Sequence, residues 1–275
     1  MSENDYQEMY DLALDLAKQA GQMIKDAFDK EKLVDTKLSA ADLVTETDQA
    51  VEKLVKILIK AKFPNHKFIG EESTSETGEK CEFTNDPTWI IDPVDGTTNF
   101  VHSIPEVSFS LGVTVNKIPV IGVVYIPMKE ELFTARQGQG AFLNGRKLSA
   151  NGTKDLSKSV VIMEGGSSRD PGIVDAKIKN IHSMVTNSHG VRAYGSAALN
   201  LSYIAAGRGD AYVEYGIHVW DFIAGALIAR EAGAVVTDPT GSELDYMHRR
   251  VLCACTAELG KQISSLLVHL DMGWD

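Results

Sequence analysis

Apolar residues recur at helical spacing in two stretches near the start of the chain. The first stretch runs from Tyr6 to Phe28, and its apolar positions fall on one face of a helix. The second follows Thr47 and Asp48, either of which is a suitable N-cap for a helix. The chain is therefore predicted to begin with two amphipathic helices.

Short apolar runs bounded by glycine, proline and polar residues predict strands in the rest of the chain. The predicted strands are 107–115, 119–126, 131–135, 159–164, 210–215, 234–237 and 251–255. Further helices are predicted near 173–185, 196–206, 220–232 and 257–269. The first half thus has two helices followed by a meandering sheet, and the second half alternates strands and helices. This order predicts a layered α/β (α+β) protein rather than a regular Rossmann repeat.

Length and composition exclude several classes of protein. We expect one domain over residues 1–275, with a soft subdivision near 145–158. No apolar run reaches the roughly 18 residues of a membrane-spanning helix, and the polar N-terminus does not resemble a signal peptide. Three cysteines without metal-type spacing favour reduced thiols and a cytoplasmic location. The net charge of −11 argues against nucleic acid as a partner.

The strongest chemical signal lies in the segment 89–100. An apolar run there leads into Asp92, and Asp95 follows three residues later. We expect a strand to end at Asp92, and a tight turn through Pro93 and Gly96 to fold Asp95 back toward it. Oxygen ligands crowded in this way suit magnesium better than zinc.

Two other segments carry acids at the ends of apolar runs. Glu71 follows the run that contains Ile69, and Asp221 precedes the apolar stretch 222–232. A single pair of aspartates three residues apart more often serves a turn or a helix cap than a metal ion. Carboxylates from three separate segments are nevertheless what a phosphoryl-transfer site with several metal ions requires.

Five stretches together resemble one known family, the inositol monophosphatases, which belong to the lithium-sensitive, magnesium-dependent sugar phosphatases. These stretches are 42–48, 70–72, 92–98, 195–198 and 220–225, and they occur in the family's order and spacing. The likeness extends from about Tyr6 to the last predicted helix and is greatest to the animal-type enzymes.

The resemblance implies a fold of five layers, α-β-α-β-α, and a phosphatase that hydrolyses myo-inositol monophosphate to free myo-inositol and phosphate. It further implies attack by a metal-activated water, two or three Mg²⁺ ions per subunit and inhibition by lithium. A homodimer is a family expectation as well. The implied partner is a small-molecule substrate, with no nucleic acid and no membrane.

By resemblance, Asp92 is expected to bridge two magnesium ions. Glu71 and the backbone carbonyl of Val94 complete the first implied site, and Asp95 and Asp221 complete the second. A third, weaker ion is implied near Glu71, which makes this residue part of the implied catalytic set.

Thr97 and Asp48 have two interpretations. Taken alone, each is best explained as a helix-capping residue. By resemblance, the Thr97 hydroxyl orients the attacking water and Asp48 holds that hydroxyl. Lys37 and Asp42 match a family loop that closes over the site, although a lysine in a polar stretch is usually a surface residue.

The segment 195–198 opens an apolar helix, and Ser196 is its expected N-cap. In the family this segment and an acid matching Glu214 contact the inositol ring, with help expected from Ser167. A carboxylate that accepts hydrogen bonds from two adjacent hydroxyls confers specificity. A substrate without these hydroxyls would leave the buried carboxylate unpaired, which is costly. The substrate contacts implied in full are Asp95, Gly96, Thr97, Ser167, Gly195, Ser196, Ala197, Glu214 and Asp221.

Alternatives to an inositol phosphatase remain at this stage. The same fold acts on other phosphates, such as a nucleotide 3′-phosphate, a fructose bisphosphate or histidinol phosphate. A non-catalytic metal-binding scaffold is a second alternative, against which the Asp48–Thr97 pair argues. The histidines do not cluster, and we interpret His102, His218 and His248 as structural or surface residues.

Overall fold

A computed structural model describes residues 1–36, 43–77 and 82–275 of the chain. The predicted loop residues Lys37 and Asp42 therefore lie outside the described residues. The helices are α1 (Glu3–Phe28), α2 (Glu46–Lys62), α3 (Glu71–Thr77), α4 (Thr97–Val101), α5 (Pro171–Asn187), α6 (Ala197–Ala205), α7 (Val219–Glu231) and α8 (Ala257–Leu266).

Two sheets contain most of the strands. The seven-stranded sheet has the order β3 (Lys67–Gly70), β4 (Thr88–Asp95), β5 (Ser108–Val115), β6 (Ile118–Ile126), β7 (Glu131–Arg136), β8 (Gly140–Leu143) and β9 (Arg146–Lys147). The five-stranded sheet has the order β11 (Gly190–Arg192), β10 (Val160–Met163), β12 (Ala211–Tyr215), β14 (Arg250–Ala254) and β13 (Val235–Thr237). A separate hairpin joins β1 (Val34–Thr36) to β2 (Leu43–Thr45).

The helices and sheets stack in five layers. Helices α1 and α2 cover one face of the seven-stranded sheet, and α6 and α7 pack against its other face. Helices α6 and α7 also contact the five-stranded sheet, whose outer face carries α5 and α8. This arrangement confirms the predicted mixed α/β fold and its α-β-α-β-α order.

The predicted elements agree with the structure apart from short differences at their ends. Each of the seven predicted strands begins and ends within one residue of an observed strand. The predicted meander corresponds to strands β5 to β9. The last helix ends at Leu266, three residues before the predicted boundary. Apolar runs and turn signals therefore identified these elements well, whether one face is buried, as in α1, or nearly the whole element, as in β5 and β12.

The predicted N-cap of α2 was wrong. Its N-cap is Thr45, which ends β2 in an extended conformation and accepts a hydrogen bond from the Thr47 amide at 3.2 Å. Asp48 lies one turn inside the helix and accepts a hydrogen bond from the Thr45 amide at 3.0 Å. The two residues form a capping box, which holds the fully buried Asp48 carboxylate in one orientation.

Helix α7 is buried on nearly all sides, as its mostly apolar sequence requires. It approaches the seven-stranded sheet closely at two glycines. A side chain at Gly112 would meet Ile223 Cγ2 at 2.7 Å, and one at Gly122 would meet the backbone oxygen of Ala224 at 2.7 Å. Within the three described ranges, no helix is long and apolar enough to cross a membrane.

Substituting Gly122→Ala should destabilise the protein, because the new methyl group meets backbone that cannot turn aside. We expect a loss of about 1–3 kcal/mol in the free energy of unfolding, as for other overpacked cores. Chemical denaturation measures this loss. Gly152→Ala is the matched control, since nothing lies within 4 Å of its added methyl group. Equal stability of the two variants would contradict the close approach of α7.

Candidate active site

Strand β4 carries both aspartates of the strongest sequence signal. The predicted end of the strand at Asp92 was wrong, since β4 continues to Asp95. Asp92 pairs with Ser110 and Asp95 pairs with Ser108 on β5, so β4 has one extra residue between the pairs. Residues three apart in a regular strand face opposite sides, but this bulge turns both carboxylates toward one cavity.

The strand ends in a left-handed turn at Gly96. Its φ of +96° is one that few other residues adopt, and a side chain here would lie 3.0 Å from the Glu106 carbonyl oxygen. Gly96 is also the residue that precedes α4, and the helix begins at Thr97. The interpretation of Thr97 as a helix cap was therefore wrong.

One cavity of about 530 Å³ brings most of the predicted site residues together. It lies where β4, β10 and β12 end beside the N-termini of α6 and α7. The predicted residues that line it are Glu71, Asp92, Val94, Asp95, Gly96, Thr97, Ser167, Gly195, Ser196, Ala197, Glu214 and Asp221. Asp48 lies behind Thr97 and does not line the cavity.

Four acids crowd one end of this cavity. Burial raises the pKa of Asp92 well above its usual range, and repulsion from Glu71 and Asp95 adds to the shift. Burial, followed by the same two neighbours, likewise raises the pKa of Asp221. The strongest charge interactions of Asp92 and Asp221 are thus with other acids, an arrangement that a divalent cation would relieve.

Asp95 differs from its neighbours because helix α6 donates to it. Its carboxylate accepts hydrogen bonds from the Ser196 hydroxyl at 2.7 Å, the Ala198 amide at 2.7 Å and the Ala197 amide at 3.2 Å. Burial raises its pKa to about 6, and these three hydrogen bonds limit the rise. The start of α6 therefore fixes the orientation of Asp95.

Asp221 is fixed in a similar way on α7. Its carboxylate accepts a hydrogen bond from the His218 amide at 2.8 Å, which forms a capping box at the start of the helix. The Ser110 hydroxyl donates to the Trp220 carbonyl at 3.1 Å, so this helix start is tied to the strand that pairs with Asp92.

The donor set fits a hard divalent cation. Carboxylates from α3, β4 and α7 face one cavity, and carboxylate oxygen is the ligand that magnesium prefers. In the described part of the chain, no three histidine, cysteine, aspartate or glutamate side chains already have the close spacing of a metal centre. A bound cation would offset the repulsion among these acids.

The structure brings Thr97 and Asp48 together across two elements. The Thr97 hydroxyl lies 3.3 Å from Asp48 Oδ1 and 3.1 Å from the Val94 carbonyl oxygen. A hydroxyl has one proton to donate, and here both neighbours are acceptors. The Thr97 oxygen therefore keeps lone pairs with which to accept a hydrogen bond from water.

Glu214 lines the same cavity from strand β12. The residue is 7% exposed, and its carboxylate accepts a hydrogen bond from the Tyr212 hydroxyl. Burial, and then repulsion from Glu164, raise the pKa of Glu214 to about 8. Ser167 also lines the cavity, on the segment that follows β10.

Sequence reasoning missed Glu164, which also lines the cavity. One of its oxygens accepts hydrogen bonds from the Tyr194 amide at 2.7 Å, the Gly195 amide at 2.9 Å and the Asn200 side chain at 2.9 Å. An acid at the end of the predicted strand 159–164 was the signal that could have identified it. The other lining residues not predicted are Leu43, Thr98, Asn99, His102, Gly166, Arg169 and Ile217.

Comparison with known proteins agrees with this geometry. The chain matches the inositol monophosphatase family over residues 5–270. The chain belongs to the inositol monophosphatase family. Mouse inositol monophosphatase 2 is 45% identical over 98% of this chain and 93% of its own length. Bovine inositol monophosphatase 1 is 46% identical over 94% of each chain.

Solved structures of the same family share the fold. The inositol monophosphatase from Anabaena (Nostoc) superposes with a TM-score of 0.83 at 32% identity, covering 95% of this chain and 96% of its own. Membership in the inositol monophosphatase family confirms the resemblance and the prediction of a phosphatase. The family is generally metal-dependent, in keeping with the acidic end of the cavity.

Ser196→Ala should test whether the start of α6 positions Asp95 in the active site. The Ser196 hydroxyl caps α6 and binds Asp95, so we expect a loss of about 1 kcal/mol in stability. Thr256→Ala removes a similar cap from α8 and is the control. Thermal unfolding should detect both losses, whereas only Ser196→Ala should reduce phosphatase activity. Equal activity in both variants would contradict the link to Asp95.

Proposed function

We propose that this protein is a magnesium-dependent phosphomonoesterase that hydrolyses myo-inositol monophosphate to free myo-inositol and phosphate. The observation that carries the proposal is one cavity lined both by a group of four acids and by Glu214. We assign the four acids, Glu71, Asp92, Asp95 and Asp221, to a phosphate end and Glu214 to a ring end. The first end suits a phosphate held by cations, and the second suits a ring that carries hydroxyl groups.

Magnesium is the proposed metal, with two or three ions per subunit and lithium as an inhibitor. Asp92 would bridge two ions, with Glu71 and the Val94 carbonyl at one and Asp95 and Asp221 at the other. Bound there, magnesium would neutralise the charge of the phosphate and activate water. The four acids support this assignment, because without a cation they would repel a phosphate dianion.

The protein's own part in the reaction is to position water and substrate. The Thr97 hydroxyl donates to Asp48, and its oxygen accepts a hydrogen bond from the attacking water, which orients that water toward phosphorus. The capping box keeps the Asp48 carboxylate in place for this purpose. Phosphoryl transfer of this kind depends mainly on positioning and on charge neutralisation.

The leaving group is held at the other end. Glu214 accepts hydrogen bonds from adjacent ring hydroxyls, and Ser167 and the start of α6 border the same space. A buried carboxylate is poorly satisfied by a substrate that lacks hydroxyls, so it favours a polyol. This preference favours a neutral polyol, and activity on a panel of phosphates separates myo-inositol monophosphate from nucleotide 3′-phosphates, fructose bisphosphates and histidinol phosphate.

Three further expectations accompany the proposal. Residues 1–275 are proposed to form one domain, since α6 and α7 pack against both sheets. A homodimer stays a prediction from family resemblance, and a cytoplasmic location stays a prediction from the cysteines. The roles that the resemblance implies for Lys37 and Asp42 stay predictions as well.

Phosphate release from myo-inositol 1-phosphate tests the proposal directly. We expect release that needs magnesium, stops when the metal is chelated, and is blocked by lithium. Asp92→Asn should reduce turnover on the order of a hundredfold, because it removes a preorganised charge. Asp86→Asn, at an exposed position just before the same strand, should retain activity.

The other results distinguish the alternatives. Release only from another phosphate would keep the metal site and reject the inositol assignment. No release from any phosphate would favour a non-catalytic scaffold. Full activity of Asp92→Asn would refute its bridging role.

Glu214→Gln should alter selectivity more than turnover. The amide keeps the size of the side chain but replaces one acceptor with donors, so ring hydroxyls bind less well. We expect the preference for myo-inositol 1-phosphate over p-nitrophenyl phosphate, measured as a ratio of kcat/KM, to fall about tenfold. Glu8→Gln, exposed on α1, is the control. An unchanged ratio would remove Glu214 from the substrate site.

A further inference from the structure

Helix α5 carries a lysine where its pattern calls for an apolar residue. The buried face of α5 contains Ala176, Lys177, Asn180 and Met184, and the Lys177 side chain points into the protein with 5% of the residue exposed. Within the described residues, Lys177 is the only lysine or arginine that is buried. An ammonium group is rarely placed in a protein interior unless it has a partner or a function.

The ammonium of Lys177 lies beside the segment that lines the ring end of the cavity. Its Nζ donates to the Gly165 carbonyl oxygen at 3.0 Å. A side chain at Gly166 would lie 2.4 Å from Nζ and 3.8 Å from Glu214 Oε1. Gly166, at a φ of +66°, therefore leaves open the space that the ammonium and the carboxylate both border.

Charge explains why the two groups are neighbours. Glu214 is repelled by Glu164 and, more weakly, by Asp95, while Lys177 attracts it. The nearby Arg169 is exposed, and Arg249 is occupied with the Gly216 carbonyl and His218. Lys177 is thus the buried positive charge that faces Glu214, and it does not itself line the cavity.

We propose that Lys177 is a positioning residue that holds Glu214 and the Gly165–Gly166 backbone in place for ring hydroxyls. It thereby sets the preference for polyol phosphates over simple phosphate monoesters. This inference rests on the proposed function, because it concerns how the same cavity selects its substrate.

Lys177→Met tests the proposal by removing the charge and keeping the length of the side chain. We expect kcat/KM for myo-inositol 1-phosphate to fall about tenfold, mainly through a higher KM. The value for p-nitrophenyl phosphate, which has no ring hydroxyls, should change less than about twofold. Lys179→Met, exposed on the same helix, is the control and should match the wild type.

A double-mutant cycle separates positioning from a general structural effect. If Lys177 acts through Glu214, adding Lys177→Met to Glu214→Gln should cause little further loss of selectivity. Additive losses, or an equal loss on both substrates, would overturn the proposal. Wild-type protein without any preference for the inositol phosphate would contradict the proposed function itself, whereas a preference that survives in Lys177→Met would contradict this inference alone.

Thermal unfolding provides a second test, for the case in which Lys177→Met is too unstable for the activity assay. That variant leaves Glu214 buried without its counter-charge, so Lys177→Met combined with Glu214→Gln should be more stable than Lys177→Met alone. A double variant that is no more stable than the single one would overturn the pairing of the two residues.

Discussion

Repulsion among buried carboxylates is the constraint on which the rest of this structure depends. Asp92, Asp95 and Asp221 are held close together in a region that water does not screen, and burial makes their charged forms unfavourable. The fold opposes this repulsion with backbone donors. The start of α6 binds Asp95, and the start of α7 binds Asp221. The N–H groups at the start of a helix have no partner within the helix, and here they donate to these carboxylates.

The central layer of the fold, formed by α6 and α7, holds these acids in place. Helices α6 and α7 lie between the two sheets, so each sheet fixes one side of them. The close contacts at Gly112 and Gly122 leave α7 no room to shift against the larger sheet. A catalytic geometry that must be accurate to a fraction of an ångström is therefore built on packed helices and strands instead of on mobile loops.

The negative charge of the cavity is balanced differently at its two proposed ends. At the proposed phosphate end, the strongest charge interactions of Asp92 among the described residues are with other acids, which leaves the balancing charge to the proposed metal ion. At the proposed ring end, Lys177 provides positive charge from within the protein. A fixed cation allows Glu214 to serve as an acceptor in a buried place, whereas a bound metal there would compete for the same oxygens.

Local sequence determined the elements and most of the site, whereas only the tertiary structure decided how they meet. Periodicity located the strands and helices, and the acids after Ile69, after Ile91 and before Phe222 marked the acidic part of the cavity. The bulge that extends β4 to Asp95 depends on pairing with β5, a distant segment, and so no local pattern reveals it. The contact of Asp48 with Thr97 arises likewise from long-range placement, whereas the Thr45–Asp48 capping box is a local pattern that the prediction overlooked. Glu164 and Lys177 were missed because their roles follow from their positions beside Gly195 and Glu214, which only the packed chain creates.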